Sequence, residues 1–510
     1  MNKPFDVRIV LGLLDYSRSA RSIRRREGGC VVFISYQRQR LHIQPKLQIT
    51  MNLKKPLNLL FGMAALCALP FGLSAQDTEV SPEEAEMMQD ILQLNSFVVT
   101  SVARPDKTKL SSSVSVSNLP TEQMDVYAPR NTAEYFRSLP GIRIESTSGE
   151  GNANLTIRGI PLADGGSRYV QFHEDGLPVV EFGDMSFGTA DQYFRPDMTL
   201  KTVESVRGGS AAIFASNSPG GVINMVSKTG EVDGGTLGLT YGLNYDNLRA
   251  DFNYGSALTD TTRFNIGGFY RHGEGPRDTG TSDGGGQVKM NFTKELPIGH
   301  IRVYFKAIDD TAPTYLPAPA HVKDTNSFGN LPGFNVKTGS LFTSHLNHYQ
   351  AVDSNGNLIT KQSHGINSKV TSLGAELMLN PTEDFNIVNR TRVSSQSANW
   401  GAPFPATVRY APAAVANYAG TFAGADHLVY GSGANAGARV ADDQLVTTVH
   451  QFDTDVKSMD WVGNDLKVSK FFHLEDGSKI DLTVGYYLSE QEIEMDWAWS
   501  TFLLETAGRD

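Results

Sequence analysis

The chain has 510 residues, with 45 Lys and Arg against 55 Asp and Glu, which gives a formal net charge of −10 at pH 7. That length is too great for one ordinary hydrophobic core and predicts two or more domains. The acidic balance argues against a nucleic-acid partner.

Residues 1–50 are basic, with ten Lys and Arg against three Asp and Glu. Residues 51–75 then have the three parts of a secretory signal peptide. These parts are a basic start at Lys54 and Lys55, an apolar run at Leu57–Leu69, and a small-residue cleavage site at Leu73–Ala75. Because a signal peptide works at the beginning of a protein, we expect translation to start at Met51 and residues 1–50 to be an upstream extension. A genuine basic extension is the alternative.

Cleavage after residue 75 would leave 33 basic and 52 acidic residues, a net charge near −19, and would remove both cysteines, Cys30 and Cys67. We therefore expect no disulfide, thiolate metal site or cysteine nucleophile in the mature chain. No run of 18 apolar residues follows residue 76, which excludes helical membrane spans. Membrane-spanning strands are not excluded, because their lipid face appears in a sequence as alternation.

Residues 76–117 form an acidic, polar leader that is interrupted by one short β-prone run. On local physics alone, this run is an ordinary first strand. Its six residues are Ser96, Phe97, Val98, Val99, Thr100 and Ser101.

Residues 118–230 have the pattern of a compact α+β domain. Asn131, followed three residues later by Glu134, predicts a capped helix start, and Pro140-Gly141 predicts the helix end. The predicted strands are Ile142–Glu145, Asn154–Arg158, Tyr169–Phe172, Val203–Arg207 and Val222–Ser227.

Glycines mark the turns of this domain. They are Gly159, the pair Gly208 and Gly209, and the pair Gly220 and Gly221. We expect them to serve backbone geometry, through a positive φ or a close approach, rather than ligand contact. They do not form a phosphate loop, because the Gly-x-x-x-x-Gly-Lys-Ser/Thr spacing is absent.

Four blocks of this domain resemble, in the same order, the plug domain of the TonB-dependent outer-membrane receptors. The blocks are Ala133–Ile142, Asn154–Ile160, Glu174–Pro178 and Thr202–Gly230. The resemblance implies an α+β plug domain followed by a transmembrane antiparallel β-barrel, which has about 22 strands in this family.

The resemblance also implies roles for individual residues. Residues 96–101 correspond to the TonB box, which adds a strand to the energy-transducing TonB–ExbB–ExbD complex, and such main-chain pairing needs β-propensity and exposure. Arg158 and Arg207 correspond to two arginines that dock the plug on the barrel wall by pairing with glutamates, as buried arginines require. Surface arginines beside turn glycines are the alternative reading of these two positions.

Residues 231–510 change to alternation with a period of two, which is clearest at Leu237–Tyr245 and Ile480–Leu488. The connections then alternate in length, apart from a tight first hairpin at Asp246–Leu248. Short ones fall at 258–262, 294–299, 381–384 and 474–478, and long ones at 271–285, 308–367 and 396–446. This is typical of a transmembrane barrel with short periplasmic turns. We count nine or ten strands, of about 9–11 residues, and expect a fragment that lacks the C-terminal half of its barrel.

The sequence predicts no catalytic residue, cofactor or metal. His345 and His348 come closest to a metal site, but no cysteine and no third histidine lies nearby in the sequence. Acidic pairs at Asp309-Asp310 and Asp442-Asp443, and the tryptophans Trp497 and Trp499, are placed in loops, where nothing distinguishes them from ordinary loop residues. We expect no enzyme activity.

These patterns predict energy-coupled import across the outer membrane of a Gram-negative-type bacterium, with a periplasmic N-terminus. The expected partners are the TonB–ExbB–ExbD complex, outer-membrane lipid and a scarce or bulky ligand. Asn217–Val222 resembles the siderophore-receptor version of the family most, which predicts a ferric siderophore; oligosaccharide or cobalamin remains open. A passive porin is the alternative of another class, and the plug argues against it. A receptor that signals to gene expression is disfavoured, because Gln76–Asn95 is too short for a signalling domain.

Overall fold

The structure is a computed structural model, and it describes the following residues: 115–120, 124, 129, 131–146, 150–160, 169–182, 184–185, 187–208, 215, 218–243, 245–279, 283–315, 317–342, 348–352, 355–362, 365–431, 434–475 and 479–506. The predicted upstream extension, signal peptide and TonB box, together with Gly209, lie outside the described residues.

The first part of the described chain is an α+β domain. In chain order it contains β1 (Ser115–Pro120), α1 (Thr132–Arg137), β2 (Ile142–Ser146), β3 (Ala153–Ile157), β4 (Val170–Glu174), β5 (Leu177–Pro178), β6 (Asp184–Met185), β7 (Gly188–Thr189), a 3₁₀ turn (Ala190–Gln192), β8 (Leu200–Arg207) and β9 (Gly221–Ser227). Five strands form one sheet in the order β1-β8-β9-β4-β5, in which β4 and β9 are parallel. The strands predicted from the sequence are confirmed within a few residues.

The helix α1 begins where the sequence predicts. The side-chain oxygen of Asn131 accepts a hydrogen bond from the Glu134 amide at 3.0 Å, which satisfies one of the free amides of the first turn. The helix ends at Arg137, three residues before Pro140. Within the described ranges, no helix is long and apolar enough to cross a membrane.

The second part is one large antiparallel sheet with three insertions. Its elements are β10 (Gly234–Tyr241), β11 (Asn247–Thr259), β12 (Thr262–Gly273), β13 (Asp283–Leu296), β14 (Gly299–Ala312), the hairpin β15 (His321–Asp324) with β16 (Ser327–Gly329), the hairpin β17 (His348–Val352) with β18 (Leu358–Gln362), β19 (Ile366–Thr382), β20 (Phe385–Tyr410), α2 (Ala411–Tyr418), β21 (Leu445–His473) and β22 (Lys479–Glu505). Among the described residues, nine strands pair in the order β10-β11-β12-β13-β14-β19-β20-β21-β22, in agreement with the nine or ten that the sequence predicts.

The connections of the large sheet alternate in length, as predicted. Short ones join β11 to β12, β13 to β14, β19 to β20 and β21 to β22. The longer ones join β12 to β13, β14 to β19 and β20 to β21, and all of these lie at the opposite end of the strands. The connection of β10 to β11 is short at that end too, which was the predicted exception.

The last three strands are much longer than predicted. β20, β21 and β22 have 26, 29 and 27 residues, so the expected loop at 396–446 is reduced to 411–444. The segment Gly401–Pro405 reads as a loop because glycine and proline usually end strands. In β21 a register shift between Val456 and Ser458 inserts one extra residue. Residues that follow this bulge therefore alternate between the two faces in the opposite order, so the sequence does not show one continuous alternating strand.

One hydrophobic cluster contains residues of both parts of the chain. In the α+β domain, the rings of Phe136, Phe172 and Phe194 lie with their centroids 5.3–6.1 Å apart. The large sheet adds side chains from one face of β14, β19, β20 and β21. They are Ile308, Val370, Ala398, Val456 and Met459. That face of the sheet is called the inner face below, because the α+β domain packs on it.

Candidate functional site

Two buried clusters of charge join the α+β domain to the inner face of the large sheet. The first, the arginine–carboxylate network, consists of Glu150 and Arg195 from the domain with Arg271 of β12 and Asp310 of β14. Arg195 Nε donates to Asp310 Oδ2 at 2.7 Å, and Arg271 donates to both Asp310 oxygens at 2.9 and 2.8 Å. Arg271 also donates to Glu150 at 3.1 Å. Two cations and two anions thus bridge the two parts.

Matched charge is what makes this network favourable. None of its four side chains is more than 7 % exposed, and a buried charge is strongly destabilising unless it is paired. Burial raises the pKa of Glu150, while the charges of Arg271 and Arg195 oppose that rise. Arg195 additionally donates to three backbone carbonyls, those of Asp191, Gln192 and Phe194. The network therefore positions the segment after β7 against β12 and β14.

The second cluster, the lysine–glutamate cluster, consists of Glu174 at the end of β4 with Lys289 of β13 and Lys306 of β14. Lys306 donates to Glu174 Oε2, and Lys289 lies 3.4 Å from Oε1. Burial acts to raise the pKa of Glu174, but Lys306, Lys289 and Arg392 outweigh it and lower the pKa to about 2. Glu174 is therefore an anion at any physiological pH.

The lowered pKa predicts an acid-labile contribution to stability. The Glu174 pKa falls from its ordinary 4.5 to about 2, so its stabilisation is complete above pH 4.5 and is lost as the pH falls towards 2. The difference corresponds to about 3 kcal/mol. We expect Glu174→Gln to remove this pH dependence, so that the free energies of unfolding of the two proteins converge at acid pH. Urea unfolding of both proteins between pH 2 and 7 measures the free energy of unfolding at each pH. A difference between the two proteins that stays constant over this pH range would contradict the prediction.

The two arginines predicted to dock the plug occupy a different place. Arg207 is buried and donates to the Pro140 carbonyl and to the Ser115 hydroxyl, the latter at 3.1 Å from Nη2. Arg158 is exposed and lies close enough to lower the pKa of Arg207, second to the effect of burial. These described contacts stay within the α+β domain, so a docking role for Arg158 and Arg207 remains a prediction.

The turn glycines have the backbone geometry that was expected. Gly159 and Gly208 have φ values of +76° and +85°, in the region that favours glycine. Gly221 combines φ +144° with a close approach, since a Cβ there would lie 2.1 Å from the Val206 carbonyl oxygen. A Cβ on Gly220 would lie 2.5 Å from the side chain of Ile157. These positions therefore need glycine for the chain path.

An aromatic surface lies on the inner face, nearer to the long connections. It consists of Phe187 from the α+β domain, Trp400 and Phe404 of β20, Phe452 of β21, and Trp497 and Trp499 of β22. Phe187 stacks on Trp400 with centroids 4.3 Å apart, and Phe452 lies 5.0 Å from Trp499 and 5.5 Å from Phe187. Phe404 and Trp499 are 43 % and 38 % exposed, so part of this surface is open to a ligand.

Phe187 holds an unusual backbone conformation within this surface. Its φ is +73°, a conformation that costs a non-glycine residue free energy and often marks a functional position. Its carbonyl accepts a hydrogen bond from Gln192 Nε2 at 2.7 Å. The ring is thereby held over Trp400 at the edge of the α+β domain.

Sequence reasoning missed most of these residues. Trp497 and Trp499 lie on β22, not in a loop, and Asp310 is a buried network member rather than a loop acid, whereas Asp442 is exposed. The alternation of residues between the two faces of each strand could have identified them. Lys289, Lys306 and other charged residues of the inner face fall on the polar side of that alternation. Among the described residues no group of three metal-ligating side chains occurs; the side chains of His345 and His348 lie outside them.

Comparison with known proteins agrees with this geometry. Residues 108–222 match the family model described as TonB-dependent Receptor Plug Domain. The chain is 24 % identical over 178 residues to the probable TonB-dependent siderophore receptor PirA of Acinetobacter baumannii, covering 32 % of this chain and 22 % of that protein. It is 29 % identical over 113 residues to the vitamin B12 transporter BtuB of Photobacterium profundum, covering 22 % and 17 %. The chain thus spans about a fifth of the length of these curated relatives.

A solved structure extends the likeness to the large sheet. The ferric preacinetobactin receptor BauA of Acinetobacter baumannii superposes with a TM-score of 0.51 at 15 % identity, covering 79 % of this chain and 51 % of that chain. This similarity shows the fold, an α+β plug domain followed by the antiparallel sheet of a β-barrel.

Proposed function

We propose that this chain, a TonB-dependent receptor by its plug domain and its sheet, imports a scarce or bulky ligand across an outer membrane. The carrying observation is a plug domain held on the inner face of the sheet by ion pairs and hydrogen bonds, which are contacts that can break and re-form. The TonB–ExbB–ExbD complex supplies the energy through Ser96–Ser101. We assign residues 76–117 to the periplasmic leader, 118–230 to the plug and 231–510 to the N-terminal part of the barrel.

The outer face of the sheet supports a place in the membrane. In the first part of β22, from Ile480 to Leu488, every second residue is a large exposed apolar or tyrosine side chain. These are Ile480, Leu482, Val484, Tyr486 and Leu488, all at least 50 % exposed. Such a continuous apolar face suits lipid and is a liability in water. We infer the outer membrane of a Gram-negative-type bacterium, with the short connections and the N-terminus on the periplasmic side.

The aromatic surface supports a ligand site above this apolar band. Trp497 and Trp499 follow Leu488 on the same strand, towards the end of the sheet at which the long connections of the other strands lie, so they lie beyond the lipid-facing residues. Flat aromatic side chains bury large areas of a ligand with little loss of side-chain entropy. Our first candidate is a ferric siderophore, which agrees with the siderophore receptors among the relatives; oligosaccharide and cobalamin are the alternatives.

Trp499→Ala is expected to weaken ligand binding roughly tenfold, since a partly exposed aromatic contact contributes about 1–2 kcal/mol. Tyr486→Ala is the matched control, because Tyr486 lies on the outer face of the same strand and is 61 % exposed. The affinities of both variants are measured in detergent with purified ferric siderophores, and binding is detected by tryptophan fluorescence or calorimetry. Equal affinities in the two variants would place the ligand elsewhere.

Energy dependence tests the function itself. Cells that express the protein should accumulate radioactive iron from a panel of ferric siderophores, or a labelled glycan or cobalamin, until a protonophore collapses the inner-membrane gradient. Surface binding should persist under the protonophore, because binding needs no energy. Accumulation that continues under the protonophore would support a passive porin and overturn the proposal.

A further inference from the structure

A small polar cavity lies between the α+β domain and the large sheet, beside the lysine–glutamate cluster. Its volume is about 30 Å³, and a buried water needs about 10–15 Å³. It therefore has room for about two or three water-sized groups. The charged side chains that line it are Glu174, Asp175, Lys289, Lys306 and Arg392, so cations outnumber carboxylates.

The two carboxylates are already engaged. Glu174 pairs with both lysines, and its side chain is 7 % exposed. Asp175 accepts hydrogen bonds from the Ser227 amide at 2.8 Å and from the Ser227 hydroxyl at 2.9 Å. Neither carboxylate contacts Arg392 through a hydrogen bond that the structure shows. The charge of Arg392 is therefore the one in excess.

Two donors on the cavity wall lack an acceptor. Arg392 is 6 % exposed, and its terminal nitrogens donate to the carbonyls of Glu174, Leu177 and Pro178. Within the described part of the chain, its Nε and the hydroxyl of Tyr304 have no hydrogen-bond partner. A buried donor without an acceptor costs about 1–3 kcal/mol. Both donors therefore need a hydrogen-bond acceptor, and the excess positive charge of the lining favours an acceptor that is an anion.

We propose that this cavity is an anion site that holds one chloride ion. A monatomic anion fits the volume. The ion accepts hydrogen bonds from Arg392 Nε and the Tyr304 hydroxyl and balances the excess positive charge of the lining. Because the cavity walls come from both the plug domain and the sheet, chloride stabilises their contact.

The test uses the purified protein in detergent at constant ionic strength, with gluconate replacing chloride. We expect the unfolding temperature to rise by roughly 1–3 °C for each tenfold increase in chloride above its dissociation constant. Arg392→Met should abolish this dependence. Tyr304→Phe, which removes a hydroxyl and keeps the ring, should weaken it and serves if Arg392→Met fails to fold. Lys369→Met is the control, because Lys369 is exposed and pairs with Asp309 away from the cavity.

Bromide identifies the site directly. Crystals soaked in bromide should show an anomalous peak within hydrogen-bond distance of Arg392 Nε, and Tyr304→Phe crystals should show a weaker one. Unfolding temperatures that do not depend on chloride, or a cavity with density but no anomalous signal, would mean that water fills the site and would overturn the proposal.

Discussion

Deleting Phe97–Thr100 from the full-length protein is expected to abolish energy-coupled uptake while leaving ligand binding unchanged. The proposed function assigns these residues to an extended segment that pairs, main chain to main chain, with the energy-transducing partner. Their loss removes the paired strand itself, so no neighbouring side chain compensates. Uptake of radioactive iron from the panel of ferric siderophores, compared with surface binding in the same cells, measures the two steps separately.

A deletion of equal length in the same leader is the matched control. Removing Glu83–Glu86 shortens the acidic segment by four residues and keeps Ser96–Ser101 intact, so we expect normal uptake. If both deletions abolish uptake, leader length rather than the β-prone run is what matters. If neither does, the assignment of the TonB box to these residues is wrong.

The features that the sequence predicted correctly depend on neighbouring residues. The cap of α1 rests on Asn131 and Glu134, which are three positions apart, and the glycine turn at Gly220-Gly221 rests on adjacent residues. The alternation of β22 is continuous from Ile480 to Leu488 because that segment contains no bulge. In each case the physical cause and the signal lie within the same short stretch of chain.

The features that were missed depend on pairing between distant segments. Asp310 looks like its neighbour Asp309 in the sequence, and burial against Arg195 and Arg271 distinguishes it in the fold. Likewise, Gly401–Pro405 reads as a loop until β21 pairs with it and extends β20 to Tyr410. One sequence does not show which strand packs against which domain. These contacts could therefore be identified only from the structure.

Asp310→Asn is expected to destabilise the docking of the plug domain by about 3–5 kcal/mol, the usual effect of removing one partner from a buried ion pair. The substitution keeps the shape of the side chain and leaves Arg195 and Arg271 with Glu150 as their sole carboxylate in the network. Urea unfolding measures this loss of docking free energy, with protease cleavage of the plug domain as the signal that the plug has come loose. Conductance in planar bilayers should also rise, because a loosened plug leaves its place in the sheet more often.

The adjacent residue provides the control for this substitution. Asp309 lies on the outer side of the same strand, where its side chain is 42 % exposed and 3.8 Å from Lys369, and exposed pairs contribute about 0–1 kcal/mol. Asp309→Asn should therefore leave plug docking within about 0.5 kcal/mol of the original protein. Equal effects of the two substitutions would show that the network does not hold the plug. If Asp310→Asn alone loosens the plug, docking depends on the buried charge of Asp310, because Asp310 and Asp309 have the same side chain and differ in burial and partners.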